Sequence, residues 1–481
     1  MGRCPTARRS NKKSKKGVCH ANSPLRGVDR HFRDFYCRYS SYFHTRTRNV
    51  SQRAEQYFKG LIQARKRNME RMAEVVPNSD DQSLQHFLTH SNWDEGAVID
   101  QIAHDADQLI GGKADSCLLI DESSFAKNGT KSVGVARQWC GCLGKVDNCQ
   151  VGVFSILGCK THSVPIDCRL FLPQAWVQDK QRCLATGVPE EAIEFNRKHD
   201  LALQMVISAR ARGVRFNWVG CDSLYGEDPS FLRALDQMHE IFMVDVHKDQ
   251  HVYLQDPAPI VPRAHSKAGR KPSRLKAQTE PMQVAQWVQQ QPAEAWKTLT
   301  IRDTTKGKLR VNILHQRLWL WDGKEKQAKH WHLIVRREAN SSKIKYSLSN
   351  APAHTAVKRL AYMQAQRYWV ERSFQDSKSS CGMSDYQARS WRSWHHHMAL
   401  VMMAMLFMLE QRLLYKDSHP LLSCADIISL LCNFLPKRTI TSEEVLRQLE
   451  VRHRKREASI YSAHRKQGYH HLKNYQNNVT K

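Results

Sequence analysis

The segment from Arg367 to Met383, RYWVERSFQDSKSSCGM, decides how the rest of the chain is interpreted. Glu371 and Lys378 lie four and eleven residues after Arg367, and at about 100° per residue these offsets return to one edge of a helix. Gly382 marks a suitable end for that helix. One interpretation is an exposed helix with an ordinary i,i+4 ion pair. The other is a helix edge that presents one carboxylate between two cations.

Composition favours a polyanionic partner. The 481 residues carry a formal net charge of +28, with 74 Lys and Arg against 46 Asp and Glu. Such an excess points most simply to nucleic acid, although a ribosome-like or membrane-surface role fits charge alone. With a hydrophobic fraction of 41%, the chain is long enough for roughly two or three domains with a sizeable core.

Cellular location is predicted from what the sequence contains and lacks. The first residues, MGRCPTARRSNKKSKKG, have no apolar core and so do not resemble a signal peptide. The longest apolar run, Met398 to Leu409, is too short to span a bilayer and predicts a buried helix. We expect a cytoplasmic protein without a membrane partner; association with the bacterial nucleoid is implied only by the family resemblance described below.

The cysteines leave one metal question open. Cys140, Cys142 and Cys149 lie close together in the sequence, which invites a zinc interpretation. They lack a paired C-x₂-C knuckle and fall in strand-like sequence. The other cysteines are scattered through apolar runs, which favours buried thiols in a reducing compartment. Structural zinc is therefore not predicted.

Hydrophobic patterns change character along the chain. Up to about residue 112 they have helical spacing, as in YFKGLIQARKRNMERMAEVV. Then SCLLIDESSFAK, SVGVARQWCG and CQVGVFSILG read as consecutive strands, followed by alternating helices and strands. Strand patterns return between 296 and 349, before the helix of the opening segment. This order predicts an α/β layer architecture.

Two aspartates follow buried strands. Asp121 comes directly after CLLI, and Asp222 comes after FNWVGC. A strand that ends in an aspartate places a carboxylate at an edge or cleft of its sheet. Either aspartate alone is also a good helix cap or turn residue.

Together with Glu371, the two strand-end aspartates suggest a metal site in a basic protein. Carboxylate oxygens suit Mg²⁺ or Mn²⁺. Two such ions, about 3.5–4 Å apart, would clamp the attacking and leaving oxygens of a phosphodiester displacement. Arg367 and Lys378, on the helix edge of Glu371, would then contact the DNA phosphates that flank the scissile bond.

These residues resemble a known family, the DDE transposases of bacterial insertion sequences. Arg367, Glu371 and Lys378 match the helix motif Y-x₂-R-x₃-E-x₆-K, whereas Gln364 occupies the tyrosine position. The stretches IDESSFAKNGTKSVGVARQWCGCLGKVDNCQVGVF and ERSFQDSKSSCGMSDYQARSWRSWHHHMAL are similar to the branch typified by insertion sequence 701. The similarity runs from about residue 57 to residue 409.

The resemblance implies an α/β fold with an RNase H-like catalytic core, a mixed sheet flanked by helices. A β-rich insertion interrupts this core, and an N-terminal helical domain and a helical C-terminal tail flank it. The implied division is a basic disordered arm (1–30), a helical DNA-binding domain (31–112), the first part of the core (113–250), the β-rich insertion (251–348), the second part of the core (349–415) and a basic helical C-terminal region (416–481).

The resemblance also implies a function and a site. Asp121, Asp222 and Glu371 would be the catalytic residues and the ligands of two Mg²⁺ or Mn²⁺ ions. The chain would bind the terminal inverted repeats of its insertion sequence and catalyse metal-dependent DNA cleavage and strand transfer. Its partners would be double-stranded DNA, both inverted repeats and target, and a second copy in a homodimeric synaptic complex. The alternatives are a catalytically inactive DNA-binding regulator and a Mg-dependent nuclease without strand transfer.

Two further carboxylates are expected to stay outside the metal site. Neighbours on a strand face opposite ways, so Glu122 should point away from Asp121. Asp245 also follows an apolar run and is predicted to be structural. The three consecutive histidines, His395 to His397, point in three directions on a helix, which predicts packing and solvent-facing roles rather than joint ligation.

Overall fold

A computed structural model describes residues 24–263, 271–304, 307–338 and 343–466 of the chain. Of the predicted disordered arm, residues 1–23 lie outside the described residues. Residues 24–30 are helical, because Val28 and Phe32 anchor this segment in the core.

The described residues form helices and strands in the following order. The helices are α1 (Val28–Tyr39), α2 (Ser51–Gln63), α3 (Met69–Val75), α4 (Asp81–Thr89), α5 (Glu95–Ile110), α6 (Gln174–Val177), α7 (Lys180–Ala185), α8 (Lys198–Ala211), α9 (Ser223–Gly226), α10 (Pro229–Gln237), α11 (Val284–Gln289), α12 (Val357–Gln366), α13 (Tyr368–Cys381), α14 (Trp391–Leu414), α15 (Cys424–Phe434) and α16 (Ser442–Lys466). The strands are β1 (Ser116–Ala126), β2 (Ala136–Cys140), β3 (Lys145–Cys159), β4 (His162–Leu170), β5 (Val219–Cys221), β6 (Phe242–Val246), β7 (His251–Val252), β8 (Met282–Gln283), β9 (Lys297–Thr304), β10 (Gly307–Leu320), β11 (Lys329–Glu338) and β12 (Ile344–Ser349).

The central part of the main sheet has the strand order β4-β3-β1-β5-β6. β1, β3 and β4 pair antiparallel, whereas β5 and β6 run parallel to β1. The apolar runs of β1, β5 and β6 are buried, as parallel strands covered by helices require. This is the mixed sheet expected of an RNase H-like core, and the predicted fold class is confirmed.

The β-rich insertion extends this sheet rather than forming a separate one. β12 pairs antiparallel with β6, and β11, β10 and β9 follow outward in that order. β7 and β8 form a small pair of their own. Because β12 immediately precedes α12, the insertion returns the chain to the core beside the strand from which it left.

Helix α14 lies at the centre of the helical layer. It packs against β4, α5, α4, α2 and α13, and it contains the predicted buried run Met398–Leu409. By length and composition α14 could cross a membrane, but 78% of its most apolar window is buried inside the protein. The prediction of a buried helix is confirmed.

The N-terminal helices share one hydrophobic cluster with the sheet and with α14. His396 is buried in α14, with Nδ1 3.0 Å from the carbonyl oxygen of Leu88 and Nε2 3.2 Å from that of Trp93. Its ring stacks on the Trp93 ring, 3.8 Å between centroids. The expected solvent-facing role of the histidine run is wrong, since His395, His396 and His397 are all buried. The division into domains stays a prediction, because 31–112 and the core are continuous in their packing.

Candidate active site

Asp121 and Asp222 lie side by side in the sheet, although the strand of Asp121 does not end there as predicted: β1 continues to Ala126, whereas β5 ends at Cys221. β1 and β5 are parallel with Leu119 opposite Gly220, so the two aspartates are reached two residues later on each strand. Asp222 also caps α9, where its Oδ1 accepts from the backbone N–H of Leu224 at 3.0 Å. This hydrogen bond fixes the orientation of the Asp222 carboxylate.

A third carboxylate joins them, and the sequence prediction for it is wrong. Ligand oxygens of Asp121, Glu122 and Asp222 all lie within 4.8 Å of one another. Glu122 lies beyond the paired part of β5, which ends at Cys221. Lys198 Nζ lies 3.0 Å from Oε1 of Glu122, and the hydroxyl of Tyr225 donates to Oε2 at 3.3 Å.

Arg367 lies at the junction of α12 and α13, where it reaches three carboxylates. Its Nη1 is 3.1 Å from Oδ2 of Asp121, its Nε is 3.2 Å from Oδ2 of Asp245, and its Nη2 is 3.1 Å from Oε1 of Glu371. The guanidinium thus places a permanent positive charge in the cleft. The sequence predicted either the i,i+4 pair with Glu371 or a contact with DNA phosphates, but not the contacts of Arg367 with Asp121 and Asp245.

Glu371 occupies the first turn of α13, on the predicted helix edge. Its side chain is 58% exposed, and Arg367 connects it to Asp121. Glu371 is not part of the close group formed by Asp121, Glu122 and Asp222. The structure therefore brings two of the three predicted ligands into contact distance and links the third to them through a cation.

Lys378 lies farther along α13, beside β1. Its Nζ is 5.8 Å from the ring centre of Phe125. Phe125 follows Asp121 by four residues on β1, which corresponds to about 13 Å along a strand. Burial lowers the pKa of Lys378, while Cys142 and Cys140 act in the opposite direction. Lys378 is therefore half-buried beside β1, apart from the carboxylate group.

Electrostatics in the cleft favour a bound cation. Burial and the neighbouring Asp222 raise the pKa of Asp121 to about 8. Burial and Glu122 raise the pKa of Asp222. Carboxylates held this close repel each other when ionised, and a hard divalent ion relieves that repulsion. An all-oxygen donor set of this kind fits Mg²⁺ or Mn²⁺.

Asp245 also lines the cleft, although the sequence predicted only a structural role for it. A cavity of about 500 Å³ opens at the carboxylates, and Asp222, Asp245, Lys345 and Arg367 contribute to its lining. Asp245 belongs to β6, the parallel strand next to β5. The carboxyl ends of parallel strands lie on the same side of a sheet. Asp245 follows the apolar run IFMV, which is the same sequence pattern that pointed to Asp121 and Asp222.

The cysteine group gives no support to zinc. Sγ of Cys140 lies 3.3 Å from Sγ of Cys142, and Cys149 is buried nearby. Within the described residues, no cysteine takes part in a group of three ligand atoms close enough to share an ion.

Three carboxylates that could hold a divalent ion thus lie together on an RNase H-like sheet, an arrangement typical of nucleases. Comparison with known families gives the same class. The chain belongs to the DDE superfamily endonucleases, whose family model matches residues 38–308. Enzymes of this family act on DNA with divalent metal ions.

One curated relative points to a particular branch. The probable transposase for insertion sequence element IS701 from Microchaete diplosiphon is 24% identical over 328 residues, which is 67% of this chain and 73% of that protein. The predicted resemblance to DDE transposases of this branch is confirmed, and so is the predicted enzyme class.

Proposed function

We propose that this chain is the transposase of its own insertion sequence. It binds the terminal inverted repeats, cuts the DNA beside them and joins the released ends to target DNA. The observation that supports this most strongly is the carboxylate group of Asp121, Glu122 and Asp222, whose oxygens lie within 4.8 Å of one another in a protein of net charge +28.

Asp121, Asp222 and Glu371 are the proposed metal ligands and catalytic residues, and Glu122 is an added candidate ligand. Two Mg²⁺ or Mn²⁺ ions held there would activate the attacking oxygen and stabilise the leaving oxygen of the phosphodiester. Glu371, exposed on α13, can approach the group once Arg367 no longer lies between them.

Arg367 and Lys378 are proposed to hold the DNA. Arg367 presents its guanidinium on the floor of the cleft, where a scissile phosphate brings negative charge. Lys378 lies on the same helix beside Phe125, which is four residues, or about 13 Å of strand, beyond Asp121 on β1, and this position suits a different phosphate of the same DNA strand. The two cations would fix the register of the DNA without reading its sequence.

Residues 31–112 are proposed to contact the inverted repeats. Exposed cations of this segment include Arg46, Arg48, Arg65 and Lys66, which lie in its loops and turns. Their charge suits a phosphate backbone. A homodimer is proposed for the synaptic complex, since two ends of one element must be held together.

The test uses purified full-length protein and duplexes taken from the DNA that flanks its gene. With Mg²⁺, we expect cleavage at the inverted repeat that leaves a 3′-OH, followed by joined products with target DNA. Duplexes with a scrambled repeat serve as the matched control. Specific binding without any cleavage would favour the regulator. Cleavage with no joining from pre-cut ends would favour a nuclease, and either result would overturn the proposal.

A further inference from the structure

The position of Arg367 raises a question about metal binding. Its guanidinium contacts Asp121 and Glu371, two of the proposed metal ligands, at 3.1 Å each. A divalent ion on Asp121 and this guanidinium would repel each other at short range. Metal binding at Asp121 therefore requires Arg367 to give up its contact with Asp121. The position that Arg367 then takes depends on a third carboxylate.

Asp245 is that carboxylate. Its Oδ2 lies 3.2 Å from Nε of Arg367. The two groups form an ion pair, but the Nε–H is not aligned for a hydrogen bond. Asp245 is not a member of the close carboxylate group. An arginine that releases Asp121 can therefore remain paired with Asp245 without competing for the ions.

A buried chain of hydrogen bonds fixes the Asp245 carboxylate. Ser347 on β12 lies opposite Asp245 in the sheet, and its hydroxyl donates to Oδ1 of Asp245. The side-chain amide of Gln364 donates to that same hydroxyl at 2.7 Å. Both Gln364 and Ser347 are buried. With Oδ1 engaged in this way, Oδ2 of Asp245 is turned toward Arg367.

Gln364 occupies the position where the motif usually has tyrosine. In this chain its amide connects α12, which leads into Arg367, to Ser347 of the insertion. The glutamine at this position therefore has a structural role: its amide donates the hydrogen bond that orients the Ser347 hydroxyl toward Asp245.

We propose that Asp245, oriented by Ser347 and Gln364, is a positioning residue that holds Arg367 away from the metal ligands when ions bind. Asp245 thereby sets the metal affinity of the site through Arg367. The inference rests on the proposed function, since it assumes that Asp121 and Asp222 bind divalent ions.

Mn²⁺ binding to the DNA-free full-length protein tests this, measured by the electron paramagnetic resonance signal of the free ion. Arg367→Gln removes the competing cation and should bind Mn²⁺ more tightly than the wild type. Asp245→Asn should bind it about tenfold more weakly, because the arginine then pairs only with Asp121 and Glu371; contacting residues show couplings of this size.

The double variant separates this account from a simple loss of charge. In the Arg367→Gln background, Asp245→Asn should change Mn²⁺ affinity by less than about twofold, since there is no arginine left to hold. Asp249→Asn removes the same charge from an exposed site four residues later and should leave the affinity unchanged in both backgrounds.

Ser347→Ala provides a second, milder variant in case Asp245→Asn does not fold. It should weaken Mn²⁺ binding in the same direction, and only when Arg367 is present. An Asp245→Asn effect of equal size in both backgrounds would overturn the inference, as would an Arg367→Gln variant that binds no more tightly than the wild type. If Asp121→Asn leaves Mn²⁺ binding intact, the proposed metal site itself fails.

Discussion

The guanidinium of Arg367 lies 3.1 Å from the carboxylate of Asp121, although 246 residues separate them in the sequence. This contact joins the junction of α12 and α13 to the middle of β1. It places the helix motif of the opening segment directly on the carboxylate edge of the sheet. The same guanidinium also contacts Asp245 and Glu371, so it connects carboxylates of β1, β6 and α13.

Glu122→Gln tests whether this carboxylate is a metal ligand. We expect the Mg²⁺ concentration for half-maximal cleavage to rise about tenfold, because one anionic oxygen of the group is lost, while the maximal rate changes little. Single-turnover cleavage across a Mg²⁺ series measures both quantities. Glu227→Gln, which removes a surface carboxylate paired with His247, is the control. An unchanged Mg²⁺ requirement would leave Glu122 only the role of holding Lys198 and Tyr225.

Lys378→Ala tests the proposed phosphate contact. Loss of one such contact should weaken binding of the element end and reduce the slope of log affinity against log salt by about one. Equilibrium binding at several salt concentrations gives the slope. Lys416→Ala, at an exposed site, should leave the slope unchanged. A Lys378→Ala slope equal to that of the wild type would contradict the assignment.

Gly226→Ala tests the close approach of α9 to β6. A Cβ at Gly226 would lie 2.0 Å from the carbonyl oxygen of Asp245, with no room to move. We expect the free energy of unfolding to fall by about 2–3 kcal/mol, measured by denaturant titration. Gly141→Ala is the matched control, since its Cβ would meet Ser124 Oγ at an ordinary 3.7 Å. Equal stability of the two variants would show that the helix and strand can separate freely.

Because His397 is buried, we expect the folded protein to lose free energy of unfolding in mild acid. Burial lowers the pKa of His397 from 6.5 to about 3, so below pH 6.5 the unfolded chain takes up a proton that the folded protein does not. Its contribution to folding is complete above that pH and is lost as the pH falls, by about 2 kcal/mol at pH 5. Denaturant titrations at pH 7 and pH 5 measure this difference.

His397→Gln should reduce that pH dependence, even though it also loses the hydrogen bond with the Tyr57 hydroxyl. His251→Gln, at an exposed site, should retain the full dependence. If His397→Gln loses as much stability as the wild type between pH 7 and pH 5, the buried neutral histidine is not the cause.

Local patterns in the sequence predicted much of this molecule. The spacing of Arg367, Glu371 and Lys378 predicted α13, and Gly382 does end it in a left-handed conformation with φ +68°. Apolar runs followed by aspartate predicted the strands that carry Asp121 and Asp222. The predicted strand end is confirmed for Asp222, which follows β5, but it is wrong for Asp121, because β1 continues to Ala126. These features depend on neighbouring residues, so the sequence carries them directly.

Contacts between distant segments were harder to predict. Nothing local indicates that β12 would pair with β6 and bring Ser347 to Asp245. Alternation along a strand predicted Glu122 on the far face, yet its carboxylate lies within 4.8 Å of those of Asp121 and Asp222. The pairing of Arg367 with three carboxylates likewise depends on the three-dimensional arrangement of β1, β6 and α13.

Metal-dependent cleavage by three single variants tests the central claim most directly. Purified Asp121→Asn, Asp222→Asn and Glu371→Gln proteins are compared with the wild type for binding and for cutting of the inverted-repeat duplex in Mg²⁺. We expect each variant to bind the duplex with nearly unchanged affinity and to produce no cut strand. Mg²⁺-dependent cutting at a normal rate by any one of them would remove that residue from the site and contradict the account.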